Sequence, residues 1–184
     1  MTKALAAALD LGCYLETPDG NPFLADFYVD PVRWALANQT WFLLQTARHH
    51  RQIATGKGGV QDHSIYETVE VYGRALYDHG ALTHGEFELL HRTLLGLTTE
   101  LPPPQVVVLL ETPVEVLLER IALRQRSYEA GIDADYLSSM QQARQQLFAK
   151  WRHGTVLRID STTIQIPTAE SVGELADQIR PKLL

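Results

Sequence analysis

The segment LPPPQVVVLLETPVEVLLERIALRQRSYE, residues 101–129, decides the fold because it contains one strand followed by one helix. Residues 106–110, VVVLL, form an apolar run without alternation, which is typical of a strand buried on both faces of a parallel sheet. A helix start is predicted next, because Thr112 can cap, Pro113 suits the first helical position and Glu115 completes a capping box. The apolar stripe predicted to face the sheet consists of Val114, Leu117, Leu118 and Ile121.

The end of this predicted helix carries three arginines. Arg120 and Arg124 are four residues apart and therefore neighbours on the helix surface, and Arg126 lies just beyond them. Guanidinium groups at this spacing repel one another unless an anion or acidic side chains lie among them. One interpretation is a solvated basic helix end beside Glu119 and Glu129. The other is a lid that clamps phosphate, since arginine binds phosphate oxygens bidentately.

The composition indicates one folded domain across residues 1–184. Its net charge of -6 argues against a nucleic-acid partner. The single cysteine, Cys13, excludes an internal disulfide and is typical of a reducing compartment. No apolar run approaches the roughly 20 residues of a membrane span, and the N-terminus lacks a signal-peptide pattern. We therefore expect a cytoplasmic protein that binds no membrane.

Helices and short strands alternate along the chain. Helices are predicted at residues 1–11, 31–53, 65–79, from 83 onward, from 112 onward, from 135 onward and at 168–184, and strands at 13–15, 58–62, 106–110 and 155–159. Helix caps are predicted at Thr2, Asp30, Thr83 and Asp135, and a helix end at Gly12. The alternation predicts an α/β fold with a mainly parallel sheet flanked by helices.

The helix predicted at residues 31–53 carries apolar side chains on more than one stripe. Such a helix is expected to be buried on two sides. We expect the sheet on one side and a partner subunit on the other.

Two carboxylates follow predicted strands. Glu16 follows the strand at 13–15, and Asp62 ends the strand at 58–62. Ligands bind beyond the carboxyl ends of the strands in parallel sheets, where the arginine-rich helix end is also expected. Each carboxylate alone is more often an ordinary loop residue, but together with a basic lid they indicate an enzyme that handles an anion.

Most of the histidines show no metal-ligand spacing with carboxylates or with the cysteine. We expect them to be surface residues, and they are His49, His50, His79, His84, His91 and His153.

Four motifs resemble the bacterial deoxynucleoside kinases that phosphorylate deoxyadenosine or deoxyguanosine. They are NPFLADFY (21–28), DPVRWALANQTWFLL (30–44), QDHSIYE (61–67) and ERIALRQRSYE (119–129). The likeness runs from Thr2 to the C-terminus, with the motifs in the family's order. It implies a P-loop NTPase or nucleoside kinase-like fold, ATP and Mg²⁺ as cofactors, and transfer of the γ-phosphate to a nucleoside 5′-hydroxyl in nucleotide salvage. It also implies a dimer formed through helices.

The resemblance assigns roles at the phosphoryl end of such a site. Glu16 matches the general base that takes the proton from the 5′-hydroxyl, which must lose it as the oxygen attacks phosphorus. The segment 120–132 matches the family's lid. Its residues Arg120, Arg124 and Arg126 match the arginines that neutralise the transferring phosphoryl group.

The resemblance also assigns roles at the nucleoside end. Tyr28 and Glu129 match the residues that hold the sugar 3′-hydroxyl. Gln39 matches the glutamine that pairs with the base edge, and Tyr72 falls where an aromatic ring stacks on the base. Asp62 matches an acidic residue near the magnesium ion.

The sequence departs from the family pattern at several positions. His63 stands where the family has an arginine between the acidic residue and the serine, so a permanent cation becomes one that is mostly neutral near pH 7. Thr46 and Thr68 stand where an arginine and an aspartate usually read the base. The family's first strand and GxxxxGK[ST] phosphate loop precede the helix that starts here at Thr2. The sequence contains neither, so we expect an N-terminally incomplete chain.

Three functions are open on this basis. The first is an ATP-dependent deoxynucleoside kinase, with purines preferred and with a homodimer or a heterodimer of related kinase chains. The second is a catalytically silent family member that acts as a structural or regulatory subunit of a kinase heterodimer. The third is another phosphate-handling α/β enzyme, such as a nucleoside monophosphate kinase, against which the NPFL and DHS segments argue.

Overall fold

The computed structural model describes residues 1–125, 131–162 and 168–183. Its helices are α1 (Thr2–Leu9), α2 (Leu24–Val29), α3 (Pro31–Thr55), α4 (Ile65–Glu67), α5 (Arg74–Asp78), α6 (His84–Thr98), α7 (Val114–Arg124), α8 (Ala134–Ala149) and α9 (Ala169–Ile179). Its strands are β1 (Gly12–Tyr14), β2 (Gly59–Gln61), β3 (Val106–Glu111) and β4 (Thr155–Asp160). A π-helical turn, Thr68–Gly73, joins α4 to α5, and 3₁₀ turns lie at Pro18–Gly20 and Arg180–Lys182. The predicted α/β class is confirmed.

The strands pair in parallel. Strand β1 pairs with β2 from Gly12 opposite Gly59 to Tyr14 opposite Gln61. Strand β3 pairs with β4 along the whole of both strands. Within the described residues these are two separate two-stranded sheets rather than the single sheet expected.

Strand β3 is covered on both faces, as its unbroken apolar run predicts. Val106 and Val108 pack in a cluster with α1 and α9, whereas Val107 and Leu109 pack with the aromatic side chains at the end of α8. Burial is nevertheless incomplete, because Leu109 is fully buried but Leu110 is 41% exposed.

Helix α3 lies at the centre of the largest apolar cluster. It contributes Ala35, Leu43 and Ala47, which pack against residues of α4, the π-helical turn and α6. Its start is as predicted, since the Asp30 side chain accepts a hydrogen bond from the Arg33 backbone N–H at 3.1 Å. The opposite side of the helix exposes apolar side chains, among them Leu44 at 56%. A partner on that side remains a prediction.

The predicted start of α7 is wrong. Thr112 does not cap the helix, because its hydroxyl is hydrogen-bonded to the Ser161 hydroxyl just beyond β4. The helix begins at Val114 with Pro113 in the capping position and no side-chain cap. The two hydroxyl groups are 49 positions apart in the sequence, so no local pattern could indicate that they bind each other.

Other helix ends shift by a few residues. Helix α8 is capped by Asp133 rather than Asp135, through a 2.8 Å hydrogen bond from the Tyr136 backbone N–H. Helix α1 has Met1 as its cap with Thr2 already inside, and it ends at Leu9 with Asp10, rather than Gly12, as the residue that closes it. Asp10 adopts a left-handed conformation with φ of 55°, which aspartate tolerates better than most residues. The capping box of Thr83 and Glu86 is confirmed. No helix among the described residues has both the length and the apolar character needed to cross a membrane.

The expectation that His50 lies on the surface is wrong. The residue is 7% exposed, and its ring packs edge-on against Tyr66 at 6.2 Å between centroids. Its Nε2 atom has no hydrogen-bond partner among the described residues. Burial lowers the pKa of His50, partly offset by a hydrogen bond with the Pro102 backbone. The folded protein therefore holds this imidazole neutral.

We expect the free energy of unfolding to fall as the pH drops below about 6.5, the pKa of an unfolded histidine. The unfolded chain then binds a proton that the folded chain resists, so stability is present above that pH and is lost below it. Replacing His50→Gln is expected to reduce this pH slope by up to about 1.4 kcal/mol per pH unit. Urea unfolding between pH 7.5 and 5 measures it, with the exposed His84→Gln as control. Equal slopes in all three proteins would contradict the prediction.

Candidate active site

A cavity of about 860 Å³ lies beyond the carboxyl ends of β1 and β2. Its walls come from the loops after these strands, from α2 and α3, from the π-helical turn, and from α7 and α8. The predicted site residues that line it are Glu16, Tyr28, Gln39, His63, Tyr72, Arg120 and Arg124. The structure thus brings together side chains that are up to 108 positions apart in the sequence.

Seven of the ten predicted site residues are thus among the described lining residues. Asp62 is not among the lining residues, although it is close enough to Glu16 to influence that carboxyl electrostatically. Arg126 and Glu129 lie outside the described residues. The proposed roles of all three remain predictions.

Glu16 presents a carboxyl group whose proton affinity is increased. Burial raises the pKa of Glu16 above its ordinary value. His63 lowers that pKa, while the nearby carboxylates of Asp62 and Glu67 raise it. A carboxylate with a raised pKa is a stronger base, so this group can accept a proton from a bound hydroxyl.

His63 has an unusual backbone conformation. Its φ of 69° is in the left-handed region, which is uncommon for residues other than glycine and is often found at functional sites. The side chain Nε2 lies 3.1 Å from the Thr68 hydroxyl oxygen, and the ring centroid lies 4.6 Å from that of Tyr72. The conformation places the imidazole in the cavity wall.

Thr46 and Thr68 contact each other beside the cavity, which Thr68 lines. Their hydroxyl oxygens are 3.3 Å apart, and both residues are buried. The Thr46 hydroxyl also donates to the Phe42 carbonyl at 2.9 Å, while Gln61 Nε2 donates to the Thr46 carbonyl at 3.2 Å. The two threonines therefore join α3 to the π-helical turn through a neutral network.

Gln39 projects an unsatisfied acceptor. The residue is 5% exposed and lines the cavity, and its Oε1 atom has no hydrogen-bond partner among the described residues. A buried carbonyl oxygen without a donor is costly, and such groups are rare in folded proteins. A ligand that brings an N–H group to this position would satisfy it.

Helix α7 lines the cavity instead of covering a sheet. Leu117 and Ile121, which were predicted to face the sheet, are part of the cavity wall, and no described residue of α7 is fully buried. Arg120 donates hydrogen bonds to the carbonyls of Ser161 and Thr162 at 2.7 and 3.2 Å. The loop after β4 therefore orients one of the two described arginines of α7.

Sequence reasoning missed Arg144 on α8. This residue lines the cavity, and its Nε donates to Glu67 Oε1 at 3.0 Å. The two residues are 77 positions apart, so no spacing in the sequence indicates the contact. Within the described ranges, no group of three or more His, Cys, Asp or Glu side chains is arranged to hold a metal ion.

Comparisons with known proteins cover nearly the whole chain. A family model described as deoxynucleoside kinase matches residues 1–183. The deoxyadenosine/deoxycytidine kinase of Bacillus subtilis (strain 168) is 29% identical over 183 residues, which is 97% of this chain and 84% of the relative. The deoxyadenosine kinase of Dictyostelium discoideum is 31% identical over 144 residues, covering 78% of this chain and 58% of the relative.

Solved structures show the same fold. A deoxyadenosine kinase from M. mycoides with bound dCTP superimposes with a TM-score of 0.79 at 14% sequence identity, covering 98% of this chain and 91% of that structure. This likeness confirms the nucleoside kinase-like fold predicted from the motifs. The family model confirms the resemblance that those motifs carry, and the chain belongs to the deoxynucleoside kinase family.

Proposed function

We propose that this chain transfers the γ-phosphate of ATP to the 5′-hydroxyl of a deoxynucleoside, with purines preferred, in cytoplasmic nucleotide salvage. One observation carries the proposal: a single cavity contains a carboxylate of raised pKa, an amide oxygen without a donor and two arginines. These are the groups needed to activate a hydroxyl, bind a base edge and stabilise a phosphoryl group.

The base and sugar of the deoxynucleoside occupy one end of the cavity, near Gln39, Tyr72 and Tyr28. Gln39 accepts a hydrogen bond from an N–H on the base edge, because its Oε1 otherwise stays unsatisfied. Tyr72 stacks on the base, and His63 lies beside that ring. Tyr28 holds the sugar 3′-hydroxyl, in a role that Glu129 is proposed to share.

The phosphoryl end combines one base with several cations. Glu16 takes the proton from the 5′-hydroxyl as its oxygen attacks phosphorus in line. Arg120 and Arg124 on α7, together with Arg126, stabilise charge on the phosphoryl oxygens. ATP supplies the phosphoryl group, and Mg²⁺ would neutralise its oxygens, with Asp62 nearby as an indirect partner.

The purine preference rests on relatives. The similar proteins include a deoxyadenosine/deoxycytidine kinase, a deoxyadenosine kinase and, from Lactobacillus acidophilus, a deoxyguanosine kinase that is 28% identical over 194 residues. The names of these relatives cover deoxynucleosides with more than one base.

The exchange Glu16→Gln is expected to lower kcat by about 10²–10⁴, because an amide cannot accept the hydroxyl proton. Nucleoside affinity should change little, since the amide keeps the size and polarity of the side chain. ADP release with ATP and Mg²⁺ is measured for all four deoxynucleosides, and affinity by calorimetry. The exposed Glu100→Gln serves as the control. A variant at position 16 with wild-type turnover would rule out the base role.

The silent-subunit alternative has its own support. His63 replaces the family arginine, and Thr46 and Thr68 bind each other instead of presenting charges. Wild-type protein that binds a deoxynucleoside without releasing ADP would favour this alternative. Failure to bind any of the four deoxynucleosides would contradict both functions.

The exchange Gln39→Leu is expected to weaken deoxynucleoside binding about tenfold or more, because the base loses a hydrogen-bonded partner. The thermal midpoint of the ligand-free protein should stay the same or rise, since the substitution also removes an unsatisfied buried acceptor. Calorimetry and thermal unfolding measure the two effects. Unchanged affinity would exclude Gln39 from base recognition.

We also propose that two kinase chains, identical or related, pair through the exposed faces of α3 and α6. These helices expose Leu44, Leu89 and Leu95 at 56%, 55% and 54%. Light scattering of the purified protein should give the mass of two chains, and Leu44→Glu should shift it toward one chain because charge opposes apolar burial. A wild-type mass of one chain at micromolar concentration would contradict self-pairing.

A further inference from the structure

Arg144 occupies a position in the cavity that none of the sequence motifs covers. It belongs to α8, and its side chain is 23% exposed. Its Nε lies 3.0 Å from Glu67 Oε1, and the Glu67 side chain is only 15% exposed. This is a largely buried ion pair between α8 and α4.

The Glu67 carboxylate is fully engaged. Its Oε2 accepts hydrogen bonds from the Ser64 backbone N–H and hydroxyl, both at 3.1 Å, and thereby caps α4. Its Oε1 accepts the bond from Arg144. Burial alone would raise the pKa of Glu67, but His63, Arg144 and the Ser64 backbone bring it below its ordinary value. The carboxylate therefore stays charged and needs a cation beside it.

The same guanidinium lies beside Tyr72. Both residues line the cavity, Tyr72 packs against Met140 and Ala143 of α8, and the Arg144 side chain interacts with the Tyr72 hydroxyl. Burial raises the pKa of Tyr72 to about 12, so this hydroxyl remains neutral at physiological pH. Arg144 thus links the capped start of α4 to the Tyr72 ring in the π-helical turn.

We propose that Arg144 is a positioning residue of the nucleoside site, which fixes the Tyr72 ring while it compensates the buried charge of Glu67. The proposal rests on the proposed function, because it gives Tyr72 a bound base to stack on. Arg144 acts through Tyr72 and not directly on the reacting atoms.

Arginine is suited to this position for two reasons. Its fork of N–H donors can bind a carboxylate and a hydroxyl at the same time in fixed geometry. Its charge is also permanent, so the buried Glu67 carboxylate keeps a cation beside it across the physiological pH range.

The test separates affinity from stability by two double-mutant cycles. Deoxynucleoside Kd is measured by calorimetry and the thermal midpoint by circular dichroism, for Arg144→Gln, Tyr72→Phe, Glu67→Gln and the pairs Arg144→Gln/Tyr72→Phe and Arg144→Gln/Glu67→Gln. Arg158→Gln is the matched control. Like Arg144, Arg158 forms an ion pair with a glutamate, here Glu111 of the neighbouring strand, but it does not line the cavity.

Three results are expected. Arg144→Gln raises Kd about tenfold or more, and adding Tyr72→Phe raises it no further, because both changes remove the same side-chain interaction. Adding Glu67→Gln to Arg144→Gln restores the thermal midpoint, since no buried charge is left without a partner, but Kd stays raised. Arg158→Gln leaves Kd at the wild-type value.

Other results would overturn the proposal. Wild-type Kd in folded Arg144→Gln protein, or additive effects of Arg144→Gln and Tyr72→Phe, would show that Arg144 does not act through the ring. Recovery of Kd together with the thermal midpoint in Arg144→Gln/Glu67→Gln would reduce its role to charge compensation. These outcomes differ from failure of the proposed function, in which the wild-type protein binds no deoxynucleoside.

Discussion

The site depends on the parallel register of β1 and β2. The ladder continues one step beyond the strands, where the Asp62 backbone N–H donates to the Tyr14 carbonyl at 2.8 Å. This bond fixes the loops that carry Glu16 and His63 side by side. The register requires a small residue at position 59, because a Cβ there would lie 2.5 Å from the Tyr14 ring. The second strand pair continues in the same way, from the Ser161 backbone N–H to the Glu111 carbonyl at 2.8 Å.

Around this edge, the cavity combines groups that carry charge with groups that are neutral. Its charged groups include the Glu16 carboxylate and the arginines of α7, one of them held by carbonyls of the loop after β4. Its neutral groups include the Gln39 amide and the Thr68 hydroxyl, which contacts the Thr46 hydroxyl behind it. The Gln39 amide oxygen has no hydrogen-bond partner among the described residues, so it is open to a ligand. The site therefore differs from the charged pair expected of the family at these positions.

Local sequence patterns succeeded where the interaction is itself local. The Asp30 cap, the Thr83 and Glu86 capping box and the apolar strand at 106–110 depend on neighbours within a few residues, and all three are present. Thr112 has an equally good capping pattern, yet its hydroxyl binds Ser161 from another strand end. His50 has polar neighbours in sequence, yet it is buried because α3 is packed on that side by Tyr66. Such outcomes are decided by competition with distant groups.

The sequence by itself determined the α/β class, the family resemblance and seven of the predicted residues that line the cavity. These depend on periodicity, caps and motifs, which involve residues close together in the sequence. Only the tertiary structure decided that α7 faces the cavity, that Gln39 keeps an acceptor without a donor, and that Arg144 joins Glu67 and Tyr72. The physical reason is separation: these contacts join elements distant in sequence. Whether they form depends on how the helices pack, which no single segment encodes.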